Sequence, residues 1–81
     1  MFNIGDKVKI TAAAVEIEFA EWKGSQVFDN MLKAALEKRF EIVGMDPANY
    51  IIKRLEDGVA QRVNKAAAHT QFELATDEVV P

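Results

Sequence analysis

The sequence has no cysteine, four scattered glycines, two prolines and one histidine. Without cysteine, the chain forms neither disulfides nor thiolate metal sites. The separated glycines make no glycine-rich phosphate-binding loop. No apolar run approaches the roughly 20 residues of a membrane-spanning helix, and the charged N-terminal stretch 1–10 does not resemble a signal peptide. We therefore expect a cytoplasmic protein with no membrane partner.

The excess of one sign of charge is also small, since thirteen acidic and ten basic residues give a net charge of −3. Tight nucleic-acid binding depends on several clustered Lys or Arg residues, and a DNA mimic would be covered in carboxylates. The total charge indicates neither, so only a local basic patch would favour nucleic acid.

The length and composition predict one small soluble domain. The 81 residues are 49% hydrophobic and 28% charged, which is ordinary for a globular chain. A chain of this size buries only about 60–65% of the surface that its unfolded form exposes. It therefore has one modest core and little room for a deep cleft. We expect a single domain over residues 1–75, followed by an acidic tail over 76–81.

The stretch 40–63 predicts structure most clearly. Two turn signals, Asp46–Asn49 and Glu56–Gly58, divide it into short runs rich in β-branched and aromatic residues. This pattern is typical of an antiparallel meander. We predict three strands, at about 40–45, 50–55 and 59–63.

A further strand and a helix are predicted before the meander. Residues 6–11 alternate polar and apolar side chains, which directs Val8 and Ile10 toward the core. Apolar residues at helical spacing predict an amphipathic helix over 25–39. Ser25 is suited to be its N-cap.

The chain after the meander is rich in small residues and then alternates again. Residues 64–70 predict a short helical turn, and 71–74 a last strand. The alternation in this strand directs Phe72 and Leu74 inward. The sequence therefore predicts five strands in total.

Residues 12–23 are open to two interpretations. The segment 15–19 alternates like a strand, but a strand continuing from residue 7 would switch its apolar side after Ala14. The alternative is a helix over 12–23, capped by Thr11 and ended by Gly24. We favour an extended or looped segment.

Several local motifs resemble the SH3-like small β-barrel. Gly5–Ile10 is similar to the GDxVxI opening strand of such barrels, including KOW-type modules. Leu36–Val43 resembles the LGKxFxIV step that leaves the first loop, with Glu37 in the usual place of a glycine. Tyr50–Gly58 resembles a YxIxxxDG hairpin, and Phe72–Leu74 resembles the closing strand.

The resemblance covers most of residues 4–75 and implies a fold rather than a function. It implies an α+β, mainly β, domain: a five-stranded SH3-like barrel with one inserted amphipathic helix at about 25–39 and a short helical turn before the last strand. The later glycines of a KOW motif are missing. Free-standing barrels with a helical first loop look like small proteins of bacteria and their phages, which mostly bind other macromolecules.

No set of residues in the sequence predicts catalysis or a cofactor. His69 is the only histidine, and together with Glu73 it makes an incomplete metal site. We interpret His69 as a surface or half-buried residue. Ser25 is better explained as a helix cap than as a nucleophile, and Glu16 and Glu18 as an exposed acidic face than as an acid–base pair. We expect no enzyme activity, no cofactor and no metal.

Our main functional hypothesis is a binding module that acts by protein–protein contact. Trp22, a lone tryptophan, either pins its loop onto the barrel, which we favour, or is an anchor at an interface. The helix over 25–39 carries a wide apolar stripe, which favours a partner or self-association into a homo-oligomer. Phe28 and Met31 are its candidate contact residues. One specific version is a phage- or mobile-element-encoded inhibitor or adaptor that docks on a host protein.

The alternative hypothesis is a small barrel that binds single-stranded or structured nucleic acid. A basic and aromatic sheet face is how small barrels bind single strands. The candidate residues lie on adjacent predicted strands: Tyr50, Lys53, Arg54 and Arg62.

Overall fold

The structure is a computed structural model that describes residues 2–75, so the predicted tail lies outside the described residues. Five strands and three α-helices give an α+β fold, which confirms the predicted mixed class. The elements are β1 (Lys7–Ile10), α1 (Ala12–Glu18), a 3₁₀ turn (Ala20–Trp22), α2 (Gln26–Glu37), β2 (Phe40–Met45), β3 (Asn49–Arg54), β4 (Ala60–Asn64), α3 (Lys65–Gln71) and β5 (Phe72–Leu74).

All five strands lie in one antiparallel sheet with the order β4-β3-β2-β1-β5. The predicted meander is confirmed as β2, β3 and β4. β1 lies between β2 and β5, so the first and last strands of the described chain are neighbours. In the described part of the chain, β4 and β5 are edge strands that do not pair with each other, so the sheet is unclosed.

Local chemistry explains the turns of the meander. The Asp46 carboxylate accepts hydrogen bonds from the backbone N–H groups of Ala48 and Asn49, at 3.0 and 2.8 Å, as an Asx turn requires. Gly58 has a φ of 76°, which a residue with a Cβ adopts only with strain. Gly44 lies at a bulge in β2, where the register with β3 shifts.

The interpretation of residues 12–23 as extended is wrong. Thr11 Oγ1 accepts a hydrogen bond from Ala14 N at 3.1 Å and caps α1. Val15 and Phe19, which suggested a strand by alternation, are also four residues apart and so share one helix face. Val15 is buried, whereas Ile17 between them is 80% exposed. The cap and the alanine run therefore outweigh the alternation.

The predicted amphipathic helix is confirmed as α2. Ser25 Oγ accepts a hydrogen bond from Phe28 N at 3.1 Å, so Ser25 is the N-cap. At the other end, Arg39 Nη1 donates to the carbonyl of Leu36 at 2.7 Å. A cation at this end also complements the helix dipole. The helix packs against α1 and β1.

The core lies between the sheet, α3 and the N-terminal residues. We call its members the Tyr50 cluster; they are the buried residues Phe2, Val8, Ile42, Tyr50, Ile52 and Ala68. Phe40, Val63 and Phe72 pack against the cluster while partly exposed. Val8 is fully buried, as predicted.

The last strand is less buried than the sequence suggests. Leu74 lies opposite Val8 in the register, but it remains 48% exposed because β5 is an edge strand. Within residues 2–75, no helix has both the length and the apolar character needed to cross a bilayer.

Candidate binding groove

The three predicted protein-contact residues have different surroundings. Trp22 is 47% exposed on the 3₁₀ turn, and Met31 is half-buried on α2. Phe28 is only 4% exposed, so in this structure it belongs to the interior rather than to an exposed contact surface. Helix α2 packs against α1 and β1. Phe28 belongs to the apolar stripe of α2 and is therefore buried on the side that packs.

Tyr50 cannot serve as a stacking platform for a base, because it is fully buried. Its hydroxyl accepts a hydrogen bond from Phe2 N at 3.3 Å and lies 3.2 Å from His69 Nε2. The His69 ring stacks on Phe2, with 5.1 Å between ring centroids. Tyr50 and His69 therefore anchor the N-terminal residues onto α3, and Tyr50 is removed from the predicted nucleic-acid site.

The predicted basic residues do not form one basic face. Lys53 and Arg62 share one side of the sheet, whereas Arg54 lies on the other side by strand alternation. Arg62 Nε is 3.9 Å from an oxygen of Asp46. Lys53 lies opposite Glu41 in the register of β2 and β3. Glu41 also forms a salt bridge with Lys7 at 3.7 Å. Carboxylates thus interrupt the positive charge.

Arg54 is held in the turn after β3. Its Nε and Nη2 donate to both oxygens of Asp57, at 2.6–3.1 Å. This hydrogen bonding lowers the pKa of Asp57 from 3.8 to about 2, with help from the N–H of Val59, and raises the pKa of Arg54. A guanidinium engaged on two oxygens is largely neutralised, so Arg54 adds little positive charge to a surface.

The sequence did not predict an apolar groove that lies beside α1. It has a volume of about 390 Å³ and we call it the α1 groove. Residues of β1, α1, α2, α3 and β5 line it: Ile10, Ala14, Val15, Ile17, Glu18, Phe19, Ala35, Thr70, Gln71 and Phe72. Ile17, 80% exposed, presents an apolar side chain to solvent at this groove. Most of the lining is apolar, as in protein and ligand sites generally.

Thr11 connects the two walls of the α1 groove. Its N–H donates to the carbonyl of Gln71 at 2.9 Å, and its hydroxyl donates to the carbonyl of Thr70 at 3.3 Å. The same hydroxyl caps α1. The groove is therefore held between two elements that are fixed to each other by hydrogen bonds.

A second cavity adjoins the α1 groove. It has a volume of about 410 Å³ and we call it the edge cavity, because residues of both edge strands line it: Gln61 and Val63 of β4, and Phe72 of β5. The two cavities share Ile10, Glu18 and Phe72. An open apolar surface thus runs from α1 to the free edge of β4.

The described residues contain no cluster of three or more His, Asp or Glu side chains that could hold a metal ion. Nor does a nucleophile lie against a base: the Ser25 hydroxyl donates to the carbonyl of Trp22 at 2.6 Å, and the His69 imidazole lies against Tyr50. These side chains have structural partners, so the open apolar surface is the candidate functional site.

Comparison of the chain with protein-family models, with curated proteins and with solved structures yields no match.

Proposed function

We propose that this chain is a protein-binding module and that the α1 groove is its docking surface. The observation that carries the proposal is an apolar groove that is open to solvent in a small domain. Ile17 at 80% exposure is the strongest single sign. A large aliphatic side chain gains free energy when a partner covers it, at about 25 cal/mol per Å² of apolar surface.

We further propose that the domain is an SH3-like small barrel. Two features support this: the strand order β4-β3-β2-β1-β5, and the short helix α3 placed directly before β5. In this proposal, the edge cavity is the gap between β4 and β5, the two edge strands of the sheet. That the protein is encoded by a phage or mobile element stays a prediction.

The α1 groove makes a sharper hypothesis than Trp22 alone. Trp22 does not line the groove, and its backbone is fixed by hydrogen bonds with Phe19 and Ser25. Its exposed half can extend a contact, but it does not form a concave site. The partner's main contact is therefore expected at Ile17, with Trp22 as a separate and smaller element.

The test is photo-crosslinking inside the cell that produces the protein. A photoreactive amino acid replaces Ile17 in one variant, and Ile4, an isoleucine 62% exposed that does not line the groove, in the matched control. We expect a discrete protein adduct from position 17 and none from position 4. Equal adducts from both positions, or an adduct at 17 that nuclease digests, would contradict the proposal.

Nucleic acid is the competing outcome, and a column experiment addresses it directly. Because carboxylates interrupt the basic residues, we expect no retention on a single-stranded DNA or RNA column at low salt. Retention that disappears at moderate salt would show phosphate binding instead.

A further inference from the structure

Glu18 occupies an unusual position at the junction of the two cavities. It is the acidic residue common to the α1 groove and the edge cavity, and most residues around it there are apolar. The cation that also lines the edge cavity is Arg54, which both oxygens of Asp57 already engage. Most residues that line the two cavities are therefore apolar, and Glu18, which both cavities share, has no cation beside it in either lining except the engaged Arg54.

Several carboxylates of the described chain pair with a cation, and several others, Glu18 among them, do not. Carboxylates pair with cations at distances between 2.6 and 3.9 Å; the pairs are Lys7–Glu41, Lys9–Glu73, Lys23–Glu16, Lys38–Glu56, Arg54–Asp57 and Arg62–Asp46. Glu18 has no salt bridge or side-chain hydrogen bond to any residue within 2–75. A partner that covers the two cavities would remove water from this carboxylate, and a carboxylate that loses water without gaining a cation is costly.

The shape of the surface favours an extended segment. The edge cavity lies between β4 and β5, whose outer edges carry backbone N–H and C=O groups without a strand partner in the described chain. β4 is the longer edge, with five residues. A peptide strand can add to such an edge by backbone hydrogen bonds, while alternate side chains enter pockets on one face.

We infer that the two cavities together take an extended segment of a partner protein, added along β4, in which a Lys or Arg is flanked two residues away on each side by apolar residues. The two apolar side chains enter the α1 groove and the edge cavity, and the cation between them pairs with Glu18. This inference rests on the proposed function and gives it a partner chemistry. An acidic residue at the central position would place two carboxylates together and be rejected.

The test uses three synthetic seven-residue peptides and the ¹⁵N-labelled protein in NMR titrations. Each peptide alternates threonine with valine, and its central residue, which lies on the valine face, is lysine, glutamate or norleucine. We expect the lysine peptide to shift the amide signals of Ile10, Glu18 and Phe72, and to bind at least about tenfold more tightly than the glutamate peptide at low salt.

A pair of matched variants isolates the charge. Glu18→Gln is expected to reduce the preference for lysine over glutamate to less than about threefold, because the amide keeps the size and loses the charge. Glu21→Gln is the control, since Glu21 is an exposed acidic residue on the neighbouring 3₁₀ turn that lines neither cavity. It should leave the preference unchanged.

Three results would overturn the inference: no shifts with any peptide, equal binding of the lysine and glutamate peptides, or shifts confined to other surfaces. Concentration-dependent shifts of the same amides without peptide would also overturn it, because a second copy would then occupy the surface. A crosslink from position 17 together with any of these results would leave the proposed protein-binding function standing, with a different partner chemistry.

Discussion

The Tyr50 cluster and the α1 groove are both apolar, but they use their apolar residues differently. In the cluster, Tyr50, Val8 and Ile42 are fully buried, and the one phenolic hydroxyl has partners. In the groove, most side chains are at least partly exposed to solvent, and Ile17 is 80% exposed. The cluster is closed by the N-terminal Phe2, which lies over Tyr50 and His69. No such cover lies over the groove in the described chain.

The difference separates stability from binding. Side chains in the cluster have already lost their contact with water, so their truncation should destabilise the fold. Side chains at the groove still have that free energy to gain, so their truncation should affect a partner rather than the fold. Substitutions in the two regions therefore make opposite predictions.

The largest effect is expected at the centre of the cluster. Tyr50→Ala should lower the free energy of unfolding by about 4 kcal/mol, since it leaves a cavity the size of an aromatic ring. In a small domain this is enough to unfold much of the population. Urea denaturation followed by circular dichroism measures it. Tyr50→Phe should cost only about 1–2 kcal/mol, because it keeps the ring and leaves the Phe2 N–H without its acceptor. A midpoint equal to wild type for Tyr50→Ala would contradict the account.

Phe2→Ala should have the next largest effect, at about 3 kcal/mol, because Phe2 is 6% exposed and stacks on His69. Phe2→Leu is the control and should recover most of the loss, since it refills the volume. Thermal unfolding by calorimetry measures both. If Phe2→Ala were neutral, the N-terminal residues would not cover the cluster.

Thr11 connects the two walls of the α1 groove, and its effect on stability should be intermediate. Thr11→Ala removes the N-cap of α1 and the hydroxyl that reaches Thr70. We expect a loss of about 1 kcal/mol and faster hydrogen exchange of the first amides of α1. Thr11→Ser keeps the hydroxyl and should remain within about 0.5 kcal/mol of wild type. Equal destabilisation by both variants would exclude the cap as the cause.

The Arg54–Asp57 pair predicts a small pH dependence outside both regions. The pKa of Asp57 is lowered from 3.8 to about 2 in the folded protein. Its contribution is therefore complete above about pH 4 and is lost as the pH falls toward 2. The thermal midpoint of wild type should decline over this range more steeply than that of Asp57→Asn. Parallel declines would show that the pair does not persist in solution.

Features with local chemistry could be predicted from the sequence. The meander is specified by Asp46 and Gly58, whose turns depend on side-chain acceptors and a positive φ, and α2 is specified by its Ser25 cap and apolar spacing. The prediction for the segment 15–19 was wrong because apolar residues two apart in a strand pattern are also four apart at its ends, as in a helix. Only tertiary packing decides between strand and helix for such a segment.

The candidate site could not be predicted in the same way. Phe2 covers the cluster through contacts with residues 48 and 67 positions away in the sequence, which no local pattern records. The α1 groove forms where five elements meet. Its key residue, Ile17, is exposed in the helix, whereas in a strand it would have been on the side that faces the core. Phe28 was a candidate contact residue because it lies on the apolar stripe of α2, and tertiary packing buries it.

The central claim is that the α1 groove binds a partner without stabilising the fold, and one paired measurement tests it most directly. Ile17→Asp and Ile4→Asp are compared with wild type for unfolding midpoint and for affinity toward the partner identified by crosslinking. The account predicts midpoints within about 0.5 kcal/mol of wild type for both variants, with binding weakened at least about tenfold by Ile17→Asp alone. Equal affinities of the two variants, or unfolding of Ile17→Asp, would contradict it.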